Sequence, residues 1–239
     1  MSMNKRNEYF TALLAGYAAN PNIKEGEPAA KVIRKVWSLA DMAVYHEYRV
    51  ESPKQRAKHW IRKNYVIVDT ETTGLGSDAR IVEIAIIDCC GRTLLNTLVN
   101  PLCEIPAEAT AIHGITNEMV VNAPAWAEIL PQVVELIGEH WVAYNARFDD
   151  RMIEQSSSHI PENDFPILLG VPQCAMELYA EFNGEWDDYH RKYRWEKLSH
   201  AASAVGAWPD EMEGNPHRAL NDCLLTLGVI RAIAEASND

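Results

Sequence analysis

The sequence lacks the long apolar runs and the leader that membrane and secreted proteins carry. No run of roughly 18 consecutive apolar residues occurs, which argues against a membrane-spanning helix. The opening stretch MSMNKRNEYFTALLAGYAAN contains neither a sufficient apolar core nor a convincing cleavage site for a secretory signal peptide. We therefore expect a cytoplasmic protein that has no membrane partner.

Cysteine is also scarce, and its spacing excludes two common frameworks. The five cysteines are an odd number and include no Cys-x-x-C pair, so neither a zinc ribbon nor a disulfide scaffold is indicated. The sequence shows no internal repeat and no low-complexity tract. The expected role of the cysteines is that of small buried hydrophobic side chains; they are Cys89, Cys90, Cys103, Cys174 and Cys223.

Positive charge is in short supply overall, but not at the N-terminal end. The formal net charge is -12, which by itself disfavours a polyanionic partner. Residues 1–64, however, carry 12 Lys and Arg against 6 Asp and Glu, whereas residues 65–239 carry 10 against 28. The acidity therefore belongs to the C-terminal part, where carboxylates can serve as metal ligands, and a basic segment precedes it.

What is present is the composition of an ordinary globular protein, long enough at 239 residues for one substantial domain and an appendage. The hydrophobic fraction is 47% and the charged fraction is 23%. Apolar residues between positions 32 and 40 recur at spacings of three and four, which predicts an amphipathic helix. We predict a basic, helical N-terminal region over residues 1–60 and a second domain over residues 61–239.

The second domain begins with strand patterns and continues with helices and a further strand. YVIVDT, RIVEIAIIDCC and RTLLNTLVN predict three consecutive antiparallel strands, the last two joined tightly at Cys90-Gly91-Arg92. Helices are predicted to end at Gly114 and Gly138, with Thr116 as an N-cap, and HWVAYN predicts a short strand before the later helices. This order indicates an α/β domain with a mixed sheet.

Two carboxylates close the first predicted strand. Asp69 and Glu71 lie near the end of VIVDTETTGLG, and side chains two residues apart in a strand point to the same face. Like charges held side by side raise each other's pKa or bind a cation, for which a divalent metal ion is the obvious candidate. The alternative is that both acids lie past the strand, in a solvated turn indicated by Thr72, Thr73, Gly74 and Gly76. This segment alone does not decide between the two.

Two further segments supply candidate partners for this pair. In VAYNARFDDRM a short strand ends at Asn145 and Asp149 follows in the first turns of a helix, so Asp149 can reach the sheet edge where α/β proteins place their ligands. In NPHRALNDCLL, His217 and Asp222 are five positions apart, which would separate them by about 140° on a straight helix. His217 should therefore lie in the turn before the helix and Asp222 inside it, from where both can reach one cleft.

The segments VDTETTG, YNARFDDRM and HRALNDC, in that order, resemble the three motifs of the DnaQ-type DEDD superfamily of 3′–5′ exonucleases. Members include polymerase proofreading subunits, exonuclease X and RNase T. The resemblance extends from about residue 65 to about residue 236, and RIVEIAIID, AIHGITNEMV and KLSHAASAVG support it. One subtype has tyrosine four residues before the last acid, where this sequence has Arg218, so the His subtype is indicated.

The resemblance implies a fold and a set of catalytic roles. The fold would be α/β and RNase H-like, with a five-stranded mixed sheet flanked by helices. Two Mg²⁺ or Mn²⁺ ions, hard cations that prefer oxygen ligands, would position the attacking water and stabilise the leaving 3′ oxygen. His217 would be the general base, since histidine exchanges protons near neutral pH. The metal ligands would be Asp69, Glu71, Asp149 and Asp222.

The resemblance also implies six substrate-binding positions: Thr70, Thr72, His113, Ile115, Asn145 and Phe148. Backbone groups at the two threonines would contact the terminal nucleotide, the histidine its sugar or phosphate, and the isoleucine its base. Ordinary alternatives stay open, namely strand-end and turn residues for the threonines, a helix stop with a packed Ile115, and a core position for Phe148. Residues 186–194 mix aromatic and basic side chains that could stack on bases, although a solvated loop is the simpler prediction.

The predicted function is a metal-dependent 3′–5′ exonuclease that releases nucleoside monophosphates from single-stranded nucleic-acid 3′ ends, with DNA modestly favoured. An RNA-trimming exoribonuclease is the alternative, which a requirement for the terminal 2′ hydroxyl would identify. A non-catalytic nucleic-acid or partner-binding module is a third interpretation, against which the complete set of acids and His217 argues. A polymerase or repair protein is a candidate partner. The basic segment containing Lys54, Arg56 and Lys58 could hold the substrate backbone, or the N-terminal region could dock a partner.

Overall fold

The structure is a computed structural model that describes residues 3–18, 36, 39–40, 51–160, 169–208 and 217–237. The chain forms two compact units, one of Met1–Ser52 with Glu162–Leu168 and the other of Pro53–Pro161 with Leu169–Asp239. In the first unit, helix α1 covers Met3–Ala18. The amphipathic helix predicted between residues 32 and 40 falls mostly outside the described residues. Within that range the structure describes Val36, Leu39 and Ala40, and all three are helical. The predicted domain division at residue 60 stays a prediction.

A mixed five-stranded sheet organises the second unit. Its strands are β1 (Val66–Thr72), β2 (Ile81–Ile87), β3 (Thr93–Leu98), β4 (Trp141–Ala143) and β5 (Pro172–Cys174), in the order β3-β2-β1-β4-β5. The first three strands pair antiparallel, whereas β4 is parallel to both β1 and β5. The predicted antiparallel trio and mixed sheet are confirmed. Strand β1 is the central strand, and two helices of the second unit, Ala146–Ser158 and Ala219–Glu235, pack against it.

The helices of the second unit begin and end largely where the sequence indicates. Gly114 ends a helix with φ of 75°, in the left-handed region that favours glycine, and its N–H donates to the Thr110 carbonyl. Thr116 precedes the next helix and Gly138 follows the one after, as predicted. The helices are α2 (Pro53–Arg62), α3 (Ala107–His113), α4 (Asn117–Val120), α5 (Trp126–Ile137), α6 (Ala146–Ser158), α7 (Ala175–Asn183), α8 (Leu198–Ala204) and α9 (Ala219–Glu235).

Helices α6 and α9 bring their first turns to the central strand. Helix α9 packs on β1 and β2, where its Cys223 and Ile230 join one buried cluster with Ile67 and Ala85. Helix α6 packs on β1 and β5, and its Ser156 hydroxyl accepts a hydrogen bond from the N–H of the first residue of β2. In the part of the chain that the structure describes, every helix is too short or too polar to cross a bilayer.

The turn between β2 and β3 is built around the buried Asp88. Its Oδ1 accepts hydrogen bonds from the backbone N–H groups of Cys90 and Arg92, each at 2.9 Å, and Arg92 Nε donates to Oδ2 at 2.7 Å. Gly91 lies between them with φ of 87°, a conformation that costs glycine little. The predicted tight connection Cys90-Gly91-Arg92 is confirmed.

Helix α2 belongs to the second unit, where it packs against α7 and α9. Its Arg56 is buried and pairs with Glu181, so this guanidinium cannot reach a substrate phosphate and that interpretation is wrong for Arg56. Lys54 Nζ donates to the Ala236 carbonyl at the C-terminal end of α9. Asp222 lies in the first turn of the same helix, about 21 Å away along its axis at about 1.5 Å per residue.

The hairpin that follows α7 was not predicted. Residues 186–193 form a hairpin of β6 (Trp186–Asp187) and β7 (Lys192–Tyr193) rather than a plain loop. Rings of Trp186 and Tyr193 meet edge to face with centroids 5.2 Å apart, which holds the two short strands together.

Candidate active site

Asp69 and Glu71 lie inside strand β1 and not in a turn beyond it. Because β1 runs to Thr72, the strand interpretation is confirmed and the solvated-turn alternative is wrong. Alternation along the strand places both acids on the face of Ile67, which packs against α9. The side chain of the intervening Thr70 points to the opposite face, toward α6.

Asp222 completes a group of three carboxylates. It lies in the first turn of α9, and one oxygen each from Asp69, Glu71 and Asp222 lie within 4.8 Å of one another. All three side chains are partly exposed, so an ion and a substrate can reach them. The predicted convergence of the strand pair with the last acid is therefore observed.

Asp149 lies beside this group but is not one of its three members. It is buried in the first turn of α6, as predicted from its place after the strand, and Thr70 Oγ1 donates a hydrogen bond of 2.8 Å to its Oδ1. After burial, the charge of Asp149 is the largest influence on the pKa of Asp69. The fourth predicted acid is thus within electrostatic reach of the others.

Burial and neighbouring negative charge raise the pKa values of these acids. Burial raises the pKa of Asp69 well above its ordinary value, and the charges of Asp149 and Asp222 raise it further. Burial raises the pKa of Glu71 to about 8, with the charge of Asp222 acting in the same direction and Arg218 in the opposite one. Burial likewise raises the pKa of Asp222 to about 7. Without a cation, these carboxyl groups resist losing their protons together.

The donor set fits a divalent metal ion of the hard class. Its oxygens come from carboxylates alone, the ligand type that Mg²⁺ and Mn²⁺ prefer. Burial and the neighbouring carboxylates both raise the pKa values, and a bound cation would favour the ionised forms against both effects. Asp69, Glu71 and Asp222 could therefore hold such an ion, with Asp149 at its side.

His217 lies in the turn before α9. The helix begins at Ala219 and the N-cap is Arg218, so His217 precedes it by two residues, as its spacing from Asp222 predicts. The His217 side chain is exposed, which leaves it accessible to solvent and substrate.

Two residues that sequence reasoning missed adjoin this site. Glu83 in β2 lies opposite Glu71 and is buried, with 2% of its surface exposed. Its carboxylate accepts hydrogen bonds from Arg218 and from the N–H of Ala219. The one available signal was an acid in the otherwise apolar segment RIVEIAIID, and nothing in the sequence connects that acid to Arg218.

His113 and Ile115 are buried and take part in the fold. His113 Nδ1 accepts a hydrogen bond from the Ile115 N–H at 3.0 Å, which leaves the proton on Nε2 to be donated to the Thr72 carbonyl at 3.3 Å. Burial lowers the pKa of His113, which favours this neutral form. Ile115 packs with Val82 and Ile105 and has no exposed surface. These positions favour the packing alternative; the predicted substrate contacts stay predictions.

The remaining predicted substrate positions lie at the same edge of the sheet. Thr72 Oγ1 donates to the Gly74 carbonyl at 2.7 Å, as a strand-end residue does. Asn145 is the exposed N-cap of α6, and its carbonyl accepts from the Phe148 N–H. Phe148 is partly exposed, with the guanidinium of Arg151 5.5 Å from its ring centroid. Asn145 and Phe148 thus lie four residues and one residue before Asp149.

The aromatic hairpin carries side chains suited to base stacking. Tyr189 at its turn is 89% exposed, and Lys192 Nζ lies 3.3 Å from the ring centroid of Trp195. The hairpin connects to the sheet through the Glu196 carbonyl, which accepts a hydrogen bond from the Tyr144 hydroxyl after β4. Its contact with substrate stays a prediction.

The site gathers carboxylates from a central strand and two helix starts at one edge of a mixed five-stranded sheet. This arrangement defines the class of metal-dependent nucleases with an RNase H-like fold. Comparisons with known proteins identify the family. The family model RNase_T, described as Exonuclease, matches residues 66–230. The chain belongs to this exonuclease family.

Relatives from phage and bacteria agree with this assignment. The uncharacterized exonuclease CP81 of Escherichia phage 186 is 50% identical over 185 residues, which cover 76% of this chain and 93% of the phage protein. Exodeoxyribonuclease 10 of Escherichia coli K12 is 32% identical over 175 residues, or 72% of this chain and 69% of that protein. A DNA polymerase III subunit epsilon-like protein of Rhodobacter capsulatus is 43% identical over 126 residues, or 48% of this chain, which span only 18% of that longer protein.

Solved structures show the same fold. Exonuclease X in complex with 5′ overhanging duplex DNA aligns with a TM-score of 0.52 and 29% identity, covering 70% of this chain and 89% of that one. A product-bound exonuclease I aligns with a TM-score of 0.54 and 15% identity over 70% of this chain and 42% of that one, which supports the fold alone. The protein is therefore a 3′–5′ exonuclease acting on nucleic acids, in a family that uses divalent metal ions. The predicted family, RNase H-like fold and exonuclease activity are confirmed.

Proposed function

We propose that the protein is a Mg²⁺- or Mn²⁺-dependent exonuclease that releases nucleoside monophosphates from single-stranded DNA 3′ ends. The observation that carries this proposal is the approach of Asp69, Glu71 and Asp222 oxygens to within 4.8 Å of one another in a partly exposed site. Carboxylates at that separation repel each other unless a cation lies among them, and a phosphodiester could not approach the bare cluster.

The four acids would divide the work of holding two ions. Asp69, Glu71 and Asp222 offer oxygens toward one point, and Asp149 would offer Oδ2 because Thr70 occupies its Oδ1. When bound, the ions would supply a nucleophilic water at neutral pH and stabilise negative charge on the leaving 3′ oxygen. The bare acids stay partly protonated near neutral pH because their pKa values are raised, so cation binding is linked to proton release.

His217 would act as the general base. Its exposed position before α9 lets it approach the water that attacks the terminal phosphodiester, from which it would take a proton. Substrate contacts are proposed for Thr70, Thr72, His113, Ile115, Asn145 and Phe148. For His113 and Ile115, which are buried and already have partners in the fold, this contact is proposed on the family resemblance alone.

DNA is the proposed substrate because several proteins similar to this chain are named for DNA or are bound to it. Exodeoxyribonuclease 10 and the polymerase III epsilon-like protein are DNA enzymes by name, and the exonuclease X structure contains overhanging duplex DNA. A polymerase or repair protein is accordingly a proposed partner, and a cytoplasmic location stays a prediction. An exoribonuclease remains the alternative, which predicts dependence on the terminal 2′ hydroxyl.

The test is digestion of end-labelled single-stranded and duplex DNA beside RNA of the same sequence. We expect mononucleotides from single-stranded DNA, complete loss in EDTA and recovery with Mg²⁺ or Mn²⁺. Asp69→Asn and Asp222→Asn should lose orders of magnitude in rate while retaining the fold by circular dichroism. Glu139→Gln, at an exposed position before β4, is the control and should keep full activity. Unchanged turnover in EDTA would contradict the metal assignment, and faster RNA cleavage would contradict the DNA assignment.

A further inference from the structure

We propose that Glu83 and Arg218 form an ion pair that positions His217 and Asp222 for the reaction, an inference that rests on the function proposed above. Neither residue belongs to the acids that would hold metal, and neither is in the predicted catalytic set. Both act at the contact between β2 and the start of α9.

The pair has the geometry of a two-pronged clamp. Arg218 Nε lies 3.0 Å from both carboxylate oxygens of Glu83, and Arg218 Nη2 donates to Oε1. The N–H of Ala219 donates to Glu83 Oε2 at 3.0 Å. A carboxylate that is 98% buried thus has both of its oxygens satisfied, which a buried ion pair requires if it is not to destabilise the fold.

The clamp fixes the backbone on both sides of Arg218. His217 precedes Arg218 directly, so their Cα atoms are about 3.8 Å apart and cannot move independently. The Arg218 carbonyl accepts a hydrogen bond from the Asp222 N–H at 3.0 Å. A displacement of Arg218 would therefore move both the proposed base and one of the proposed metal ligands.

Glu83 also replaces an ordinary helix cap. The N-cap residue Arg218 makes no side-chain capping hydrogen bond, and Glu83 instead accepts from the first N–H of α9. A carboxylate at a helix N-terminus is favourable because it satisfies a donor that has no partner within the helix and faces the positive end of the helix dipole. The start of the Asp222 helix is thereby attached to the strand next to Asp69 and Glu71.

The charge balance explains why arginine is needed here. Glu83 lies opposite Glu71, so an unpaired Glu83 would add another negative charge to a cluster that already repels itself. Arg218 neutralises that charge and occupies both oxygens, which keeps Glu83 out of the metal-binding set. Lysine would supply the charge but not the fork, because an ammonium group cannot donate along two parallel directions.

The experiment uses Arg218→Lys and Glu83→Gln in the full chain, alone and combined with His217→Ala. We expect kcat on single-stranded DNA to fall roughly 10- to 100-fold in each single variant, with little change in KM. Mn²⁺ affinity, measured by calorimetry without substrate, should weaken because Asp222 shifts. At saturating Mn²⁺ in the His217→Ala background, Arg218→Lys should cost less than about twofold more, since the base that it positions is already gone.

A second Arg–Glu pair, also partly buried, provides a matched control. Arg56 and Glu181 join α2 to α7 within the same compact unit, away from the carboxylate cluster. Arg56→Lys and Glu181→Gln should lower the melting temperature without changing kcat or Mn²⁺ affinity, when both are measured well below that temperature.

The outcomes separate this inference from the function on which it rests. Unchanged kcat and Mn²⁺ affinity in Arg218→Lys would overturn the inference, as would a full loss that persists in the His217→Ala background. If Asp69→Asn is inactive while Arg218→Lys is normal, the inference alone fails. If Asp69→Asn keeps its activity, the proposed function fails first.

Discussion

Thr70 illustrates how a single hydroxyl can prepare a carboxylate for metal binding. Burial raises the pKa of Asp149 to about 7, and the hydrogen bond from Thr70 opposes that rise because it favours the ionised form. The bond also fixes the rotation of the carboxylate, since one of its oxygens is held at 2.8 Å. Thr70 thus acts on Asp149 from the face of β1 opposite to Asp69 and Glu71.

Replacing Thr70 by valine should separate this role from simple packing. Thr70→Val keeps the shape but leaves Asp149 Oδ1 without its donor, so we expect kcat to fall roughly 10- to 100-fold and the melting temperature to drop by a few degrees. Steady-state kinetics and thermal unfolding would measure both. Thr97→Val in β3, where the hydroxyl donates to the neighbouring Leu98 carbonyl, is the control and should leave kcat unchanged. Normal kinetics in Thr70→Val would refute the positioning role.

Replacing His217 tests the proposed base. His217→Ala should lower kcat by roughly 10² to 10⁴-fold, the usual contribution of general-base catalysis, while Mn²⁺ affinity stays close to that of the unaltered protein. Single-turnover kinetics and calorimetry provide the two readouts. A collapse of metal affinity instead would make His217 a ligand and remove it from the role of base.

At the scale of single residues, the sequence predicts what is local and misses what is remote. Asp69 and Glu71 are two residues apart on one strand, so their common face follows from the pleat alone. Glu83 and Arg218 are 135 residues apart and meet only because β2 and α9 pack together, which no spacing reveals. The burial of Arg56 was missed for the same reason, since its partner Glu181 is 125 residues away.

Among the elements, the turn between β2 and β3 depends on one ionised side chain. Burial of Asp88 disfavours its charge, but hydrogen bonds from Arg92 and from the Cys90 N–H outweigh burial and lower its pKa below the ordinary value. A lowered pKa in the folded state contributes stability above the ordinary value of about 4, and that contribution is lost as pH falls through the lower folded value.

Asp88→Asn should therefore destabilise the protein in a pH-dependent way. We expect the free energy of unfolding to fall by about 2 kcal/mol near neutral pH, because hydrogen bonds to a charged acceptor are lost. The difference from the unaltered protein should shrink below about pH 4, where Asp88 begins to be protonated in the unfolded chain. Denaturant unfolding at several pH values would measure this, with the exposed Asp188→Asn as the neutral control. If the difference in the free energy of unfolding between the two proteins stayed constant from neutral pH down to about pH 3, the charge-based account would be wrong.

The longer elements were predictable, and the shortest ones were not. Runs of β-branched residues and glycine stops gave β1, β2, β3 and the ends of α3 and α5. The hairpin of β6 and β7 has strands of two residues each, too short to show alternation, so its sequence predicted a loop. The burial of Ile115 likewise depends on Val82 and Ile105, which come from other elements.

For the whole molecule, the carboxylate cluster links stability to pH and to metal. These acids have higher pKa values in the folded protein than the value of about 4 that they have in the unfolded chain. Their contribution to the free energy of unfolding is therefore largest below about pH 4 and declines as pH rises toward about 8. In EDTA, the melting temperature should therefore fall between pH 5 and pH 8, a window set by those same pKa values. A divalent ion that binds only the folded protein should reverse this trend at pH 8.

Asp69→Asn should remove much of this loss of stability at high pH while abolishing activity. Because the amide carries no charge, the variant should melt at a higher temperature than the unaltered protein in EDTA at pH 8, and Mn²⁺ should stabilise it less. Calorimetric melting curves with and without metal would measure both effects. Equal melting temperatures of the two proteins in EDTA would show that the charge of Asp69 does not destabilise the folded protein.

Strand β1 has one further consequence, which concerns length and not composition. Its odd positions, Asp69 and Glu71, face α9, while Thr70 between them reaches α6. One inserted or deleted residue upstream of Asp69 would exchange the two faces, turning the acids away from Asp222 and the threonine away from Asp149. A single substitution such as Thr70→Val alters one half of the site, but a change in the residue count of β1 would dismantle both halves together. The register of β1 therefore constrains its number of residues as strictly as the site constrains its two acids and its threonine.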